Sequence, residues 1–306
     1  PFGFILFSRN FKSKEQIQKL ISDLKIITKN QQVLIFVDQE GGKVQRFDNE
    51  EFNKIPAQSF FGNIYNKNRL LAKKLAYYNA YIIGQQLKDV GIDVNFSPVL
   101  DIRFNYGNKV IGNRSFGKNV EMISILGKQY CKGFRDSGIF PVLKHFPGHG
   151  RSKKDSHLEL PRLKVSFKNL VQSDMKSFRY LKDEIFVMLA HIVYENVDKN
   201  IATYSQKLIN ELLIKKMKFN GLIITDDLSM KALKGSIEER TIKSYDAGCD
   251  IVLYCDAKLN EMKTIYENSR FINTKKLEYL KEYKKKLCTS KCTNSTKMNE
   301  ILYSKK

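Results

Sequence analysis

Seven short apolar runs, none of them alternating with polar residues, most constrain what this chain can fold into. They are Phe4 to Phe7, Val33 to Val37, Val94 to Leu100, Val142 to His145, Phe186 to His191, Leu222 to Thr225 and Ile251 to Tyr254. A strand with one wet face alternates apolar and polar side chains, so continuous runs rich in β-branched and aromatic residues predict strands covered on both faces. Amphipathic stretches of helical period lie between them. After Ser13, the residues Ile17, Leu20, Ile21 and Leu24 form an i, i+3, i+4, i+7 stripe, and Ser13 with Gln16 matches a capping box. Further helices are expected from about Asn68 through Leu87 and from Ser205 through Met217. Such alternation implies an α/β fold with a parallel sheet under helical cover.

The closed form of this pattern, the TIM-type (β/α)8 barrel, needs eight strands. Seven are counted, so the expectation is a barrel lacking its first β/α unit in this chain, or carrying something shorter in its place. An open doubly wound sheet is the alternative, but no Gly-rich dinucleotide loop follows the first strand. Residues 1–273 read as a single catalytic barrel domain. In 274–306, Leu277, Leu280 and Leu287 mark an amphipathic helix before a polar, Lys-rich tail.

Composition narrows the partners. No stretch of about 18 apolar residues exists, so no membrane span is expected. The opening Pro1 to Phe7 lacks the basic region and cleavage site of a signal peptide. Cys131, Cys249, Cys255, Cys288 and Cys292 are odd in number and scattered, which argues against a disulfide framework and predicts a reducing, cytoplasmic location. Cys288 and Cys292 lack the paired ligands of a zinc site. The 53 basic residues against 32 acidic ones give a strongly positive field, yet the lysines are spread along every helical segment and no aromatic-basic motif accompanies them. Nucleic acid is therefore not the expected partner. A monomer is expected.

Polar groups close successive strands: Asp38-Gln39-Glu40-Gly41-Gly42, Asp101, Lys144-His145, His191 and Asp226-Asp227. That placement marks the catalytic face of a barrel. Three of the four histidines fall in Lys144-His145-Phe146-Pro147-Gly148-His149-Gly150 and the following Asp155-Ser156-His157. Histidine both gives and takes a proton near neutral pH, so this loop reads as the centre of the chemistry.

These residues resemble the β-N-acetylglucosaminidase branch of glycoside hydrolase family 3. Besides the histidine motif, Asp38 to Arg46, Asn113-Arg114-Ser115-Phe116-Gly117 and Thr225 to Met230 match that branch in the same order. The resemblance implies a cytoplasmic enzyme that releases N-acetylglucosamine from N-acetylglucosaminyl-anhydro-N-acetylmuramic acid, with or without its peptide. It implies Asp226 as nucleophile, His157 as general acid/base with Asp155 as its partner, and Asp38, Arg46, Arg114, Lys144 and His145 as sugar-binding residues. Neither cofactor nor metal is implied. A retaining glycosidase needs a carboxylate on one face of the anomeric carbon and a proton donor by the leaving oxygen, and Lys or Arg neighbours are expected to keep Asp226 ionised.

Blander roles stand beside these. His149 orders its loop or touches substrate, His191 orients a neighbour, Asp227 caps a turn, Glu40 scaffolds the Gly41-Gly42 turn, and Met230 and Phe116 pack near the sugar or in the core. Within the glycosidases, a β-glucosidase of the same family is the rival, but that branch usually takes its acid/base from a second domain and lacks the Asp-x-His loop. Two rival functions outside that class remain on the sequence alone. One is a metal-dependent hydrolase using His145, His191, Asp226 and Lys144, against which stands the absence of a His-x-His pair. The other is an inactive sugar- or nucleic-acid-binding protein.

Overall fold

A computed structural model describes residues 1–29, 32–287 and 296–303. All seven apolar runs form strands: β1 (Gly3–Leu6), β2 (Leu34–Val37), β3 (Val94–Asn95), β4 (Phe140–Phe146), β5 (Phe186–Leu189), β6 (Leu222–Asp227) and β7 (Ile251–Leu253). They pair in parallel, each with its sequence neighbour, in one sheet of order β1 to β7. A doubly wound sheet reverses its winding at a switch point. This strictly sequential order is that of a (β/α)8 barrel, here with seven strands among the described residues. β1 and β7 do not pair with each other. Instead both line one cavity of about 330 Å³, together with Phe36, Phe96 and Ile224.

The run Val94 to Leu100 keeps only two residues in its ladder. Pro98 has no N–H to donate, and Val99 is held instead by the Gln58 carboxamide, at 3.0 Å to its N–H and 2.9 Å to its carbonyl.

Side chains alternate between two cores, as the pleat requires. Leu34, Phe36, Val94, Phe96, Phe140, Val142, Phe186 and Leu222 fill the barrel interior. Ile35, Val37, Leu143, Val187 and Ile223 face the helices. The helix Lys14–Ile27 begins as expected at Ser13, whose hydroxyl accepts from Gln16 N–H. The Gln16 side chain, however, accepts from Lys12 N–H at 3.0 Å, so only half of the capping box forms as read. The helices Arg69–Asp89 and Lys207–Lys216 match the other two expected stretches, the second with π-type bonding.

The helix Thr274–Lys285 closes the lower end of the barrel. Tyr283 is 3% exposed, its ring lies 5.9 Å from that of Phe140, and its hydroxyl donates to the Glu184 carboxylate. Within the expected tail, a further helix spans Thr296–Tyr303. Leu302 is buried there, and the Tyr303 hydroxyl donates to Asn79 at 3.1 Å. Cys288, Cys292, Lys305 and Lys306 lie outside the described residues. Among the described residues no helix is long and apolar enough to cross a membrane.

Candidate active site

β2 runs directly into Asp38 and a short antiparallel ribbon, Gln39–Gly41 with Val44–Gln45. Gln39 scaffolds this turn. Its side-chain oxygen accepts from the Arg46 and Phe47 N–H groups at 2.8 and 3.1 Å, and Arg46 then reaches Asp38 at 3.2 Å. Gly41 has φ of +101°, and a Cβ there would sit 2.5 Å from the Pro56 carbonyl oxygen, so only glycine fits.

Glu40 does not scaffold the turn, contrary to expectation. It points inward at 1% exposure, where a carboxylate must be paired. Arg114 grips it with Nε and Nη2, both at 2.8 Å, and Lys144 Nζ lies 2.5 Å away. Burial raises the Glu40 pKa, but the two cations outweigh it and hold the carboxyl far below its ordinary range.

Lys144 and His145 close β4. Lys144, 2% exposed, places Nζ 2.9 Å from Asp38 as well as against Glu40, which leaves one of its three donors free among the described contacts. His145 Nε2 lies 3.5 Å from Arg114 Nη2, and its Nδ1 lies 2.7 Å from Asp101 Oδ2. Five of the expected sugar-binding residues, Asp38, Arg46, Arg114, Lys144 and His145, thus converge on one cluster. Asp101 is fully buried and also accepts from His149 N–H at 2.6 Å. Burial works against its charge, but the His145 imidazole and the bonds from His145 and His149 hold its carboxyl below the ordinary value.

The Asp155 carboxylate accepts from the main-chain N–H of His157 at 2.9 Å, an Asx-turn that explains the Asp-x-His spacing. The same oxygen lies 2.7 Å from His157 Nδ1. The pair is the most open part of the site, with side chains 26% and 61% exposed. Partial burial opposes ionisation of Asp155, yet the bonds from His157 win and lower its pKa. Gly148 has φ of +138°, whereas Gly150 is needed for space, because a Cβ would lie 1.7 Å from the Ile102 carbonyl oxygen.

Asp226 is the last residue but one of β6, and its Oδ1 accepts from Asp227 N–H at 2.9 Å. Enclosure opposes its charge, but His145, His191, the Asp227 amide and His157 lower its pKa below the ordinary value. The expectation that Lys or Arg would do this is corrected: Lys144 and Arg114 are taken by Asp38 and Glu40. His191 is fully buried, with Nε2 donating to the Asp227 carbonyl at 3.0 Å and Nδ1 2.7 Å from Thr203 Oγ1. Asp227 caps the turn, accepting from Ser229 N–H and Cys255 N–H at 2.9 and 3.0 Å.

Phe116 packs edge-on to Tyr130, 5.1 Å away in the helix-facing core, and Met230 is 5% exposed. A groove of about 800 Å³ runs past Leu160, Arg162, Tyr204 and Lys234, and none of the eight expected site residues lines it. Among the described residues no three His, Cys, Asp or Glu side chains are arranged to hold a metal ion. Sequence reasoning placed Asp101 at a strand end but gave it no role. Its only local signal was a carboxylate closing the apolar run Val94 to Leu100.

Over residues 2–280 the chain matches the glycosyl hydrolase family 3 N terminal domain. It is 40% identical over 260 residues to a beta-hexosaminidase of Neisseria meningitidis serogroup A, covering 83% of this chain and 71% of that protein. A beta-hexosaminidase of Bordetella avium is 36% identical over 259 residues, 83% of this chain and 73% of that protein. The structure of NagZ from Neisseria gonorrhoeae in complex with N-trifluoroacetyl-D-glucosamine matches with a TM-score of 0.84 at 36% identity, over 92% of this chain and 82% of that chain. A family 3 β-N-acetylglucosaminidase from Paenibacillus sp. matches with a TM-score of 0.84 at 32% identity, over 96% of this chain and 59% of that chain. This barrel, with its polar cluster at the strand ends, is a glycoside hydrolase, and the chain belongs to glycosyl hydrolase family 3.

Proposed function

We propose that the chain is a retaining exo-β-N-acetylglucosaminidase that removes N-acetylglucosamine from peptidoglycan turnover products, acting as a monomer in the cytoplasm. The observation that carries this reading is the pairing of His157 Nδ1 with Asp155 at 2.7 Å, beside an Asp226 whose pKa its surroundings, His157 among them, hold low. The relatives named beta-hexosaminidase and the motifs of the N-acetylglucosaminidase branch support the sugar. The muropeptide aglycone is the substrate that branch implies.

Asp226 attacks the anomeric carbon and forms a glycosyl-enzyme. With Nδ1 committed to Asp155, His157 presents Nε2, which gives its proton to the departing oxygen and then takes one from the incoming water. Asp155 orients the ring and stabilises its charged form. The cluster of Asp38, Arg46, Arg114, Lys144 and His145 binds the sugar hydroxyls. Because most of its charges are already paired with each other, it offers oriented donors and acceptors without a large net charge to desolvate.

The test is hydrolysis of an aryl N-acetyl-β-glucosaminide beside the matching aryl β-glucoside, with and without chelator. Turnover of the N-acetyl substrate alone, unchanged by chelator and releasing the β-anomer first by proton NMR, is expected. Turnover of the glucoside alone, loss of activity on chelation, or first release of the α-anomer overturns the reading.

A further inference from the structure

His157 is exposed and Asp155 half-buried, yet Ser156 between them is 1% exposed. Its hydroxyl lies 3.0 Å from His149 Nε2. His149, 3% exposed, has no partner for its Nδ1, so Ser156 is the ring's one polar tether among the described residues. The His149 main chain is anchored in turn, its N–H donating to Asp101 Oδ1 at 2.6 Å. The other oxygen of Asp101 meets His145 Nδ1 at 2.7 Å. A continuous buried chain of contacts therefore runs from the sugar-binding cluster to the middle of the exposed Asp155–His157 turn.

Such a chain has a physical task. Proton transfer needs the donor held within about 0.5 Å of its productive position, and an exposed turn left to itself gains entropy by moving. Pinning the middle residue inward sends its two neighbours outward together. Burial, reinforced by His145, pushes the His149 imidazole down to about 4. The ring is then neutral near pH 7, and the tether adds no charge beside Asp155.

We propose that Ser156 and His149 are positioning residues for proton transfer by the Asp155–His157 pair, anchored through Asp101 to the same carboxylate that orients His145. The proposal rests on the assignment of His157 as the acid/base. One buried carboxylate then sets both the sugar-binding histidine and the acid/base loop.

The experiment compares an alkyl N-acetyl-β-glucosaminide, whose leaving group must be protonated, with the dinitrophenyl analogue, whose leaving group departs unaided. In Ser156→Ala, kcat/KM, which reports formation of the glycosyl-enzyme, is expected to fall about tenfold more on the alkyl substrate than on the aryl one. Ser156→Thr, which keeps the hydroxyl, should recover most of the loss. His149→Phe, which fills the space without a ring nitrogen, should reproduce the discrimination and serves if Ser156→Ala does not fold. Equal losses on both substrates, or no recovery in Ser156→Thr, overturn the positioning role. His157→Ala runs in parallel. Discrimination there without any in Ser156→Ala and His149→Phe removes only the positioning role, whereas no discrimination in His157→Ala removes the acid/base assignment and this inference with it.

Discussion

Arg114 and Glu40 form a two-point ion pair in the barrel mouth. Nε and Nη2 of the guanidinium each lie 2.8 Å from a different carboxylate oxygen, and the side chains are 9% and 1% exposed. Lys144 adds a second cation to the same carboxylate. Removing one partner of a buried pair leaves an uncompensated charge, which costs about 3–5 kcal/mol. Glu40→Ala should therefore lose that much stability in denaturant unfolding at neutral pH. It should also raise KM, because Arg114 and Lys144 lose their orientation. A loss below about 1 kcal/mol would mean that water replaces the carboxylate without penalty.

Asp226→Ala should reduce kcat by about 10⁴-fold or more, as for the loss of other covalent nucleophiles. Its fold should hold, since Asp226 is neither in the apolar core nor part of the Glu40 cluster. Circular dichroism and an aryl N-acetyl-β-glucosaminide assay check both halves. Residual activity within tenfold of the parent would exclude Asp226 as nucleophile.

His157→Ala should lower kcat/KM for poorly activated glycosides by about 10²–10⁴-fold while sparing kcat/KM for dinitrophenyl substrates, whose kcat falls because the base for the second step is lost. Asp155→Ala should show a milder form of the same pattern, because the imidazole remains but loses its orienting partner at 2.7 Å. A plot of log kcat/KM against leaving-group pKa checks this, and an unchanged slope in His157→Ala would count against the assignment.

Burial and the neighbouring His145 push His149 from 6.5 down to about 4. Its folded pKa is thus below its unfolded one. Between those values the unfolded chain holds a proton that the folded one refuses, so stability falls as pH drops through that window and is unaffected above it. The contribution approaches about 3 kcal/mol at the acid end. In His149→Phe, the stability difference between about pH 7 and about pH 4.5 should shrink by about 2–3 kcal/mol. An unchanged difference in urea titrations would show that His149 is not the group responsible.

Tyr283 closes the barrel from the helix Thr274–Lys285, with its ring against Phe140 and its hydroxyl on Glu184. Tyr283→Ala should destabilise by about 3–5 kcal/mol, the range for emptying a buried aromatic site. Tyr283→Phe should cost about 1–3 kcal/mol through the lost bond to a charged group. Equal stability of Tyr283→Ala and the parent would mean that this helix is not integral to the barrel.

Much of this architecture was legible in the sequence, for a definite reason. A strand covered on both faces has no use for alternation, so all seven apolar runs announced themselves, and each became a strand. Where the reading overran, as in Val94 to Leu100, the ladder stops after Asn95 and returns only as a single bridge from Val99 to Lys144. The candidate site was partly legible too, because a barrel gathers the ends of its strands whatever their separation in sequence. Asp38, Arg46, Arg114, Lys144 and His145 came together as expected. The division of labour between Gln39 and Glu40 was not legible. In a ribbon, neighbouring side chains face opposite ways, and only the register decides which becomes the scaffold and which the buried anion.

By itself, the sequence determined the parallel barrel, the family and the strand-end residues, since these depend on composition within short windows and on motifs read in order. Tertiary structure alone decided which charge neutralises which. Arg114 meets Glu40 across 74 positions, and Lys144 meets Asp38 across 106. Local propensity reaches only a few residues along the chain, whereas electrostatic pairing in a buried site depends on distances in space. That is why Asp101 surfaced as an anchor only once His145 and His149 were seen beside it, and why Asp226 owes its charge to histidines and a main-chain amide, the lysine and arginine being already paired.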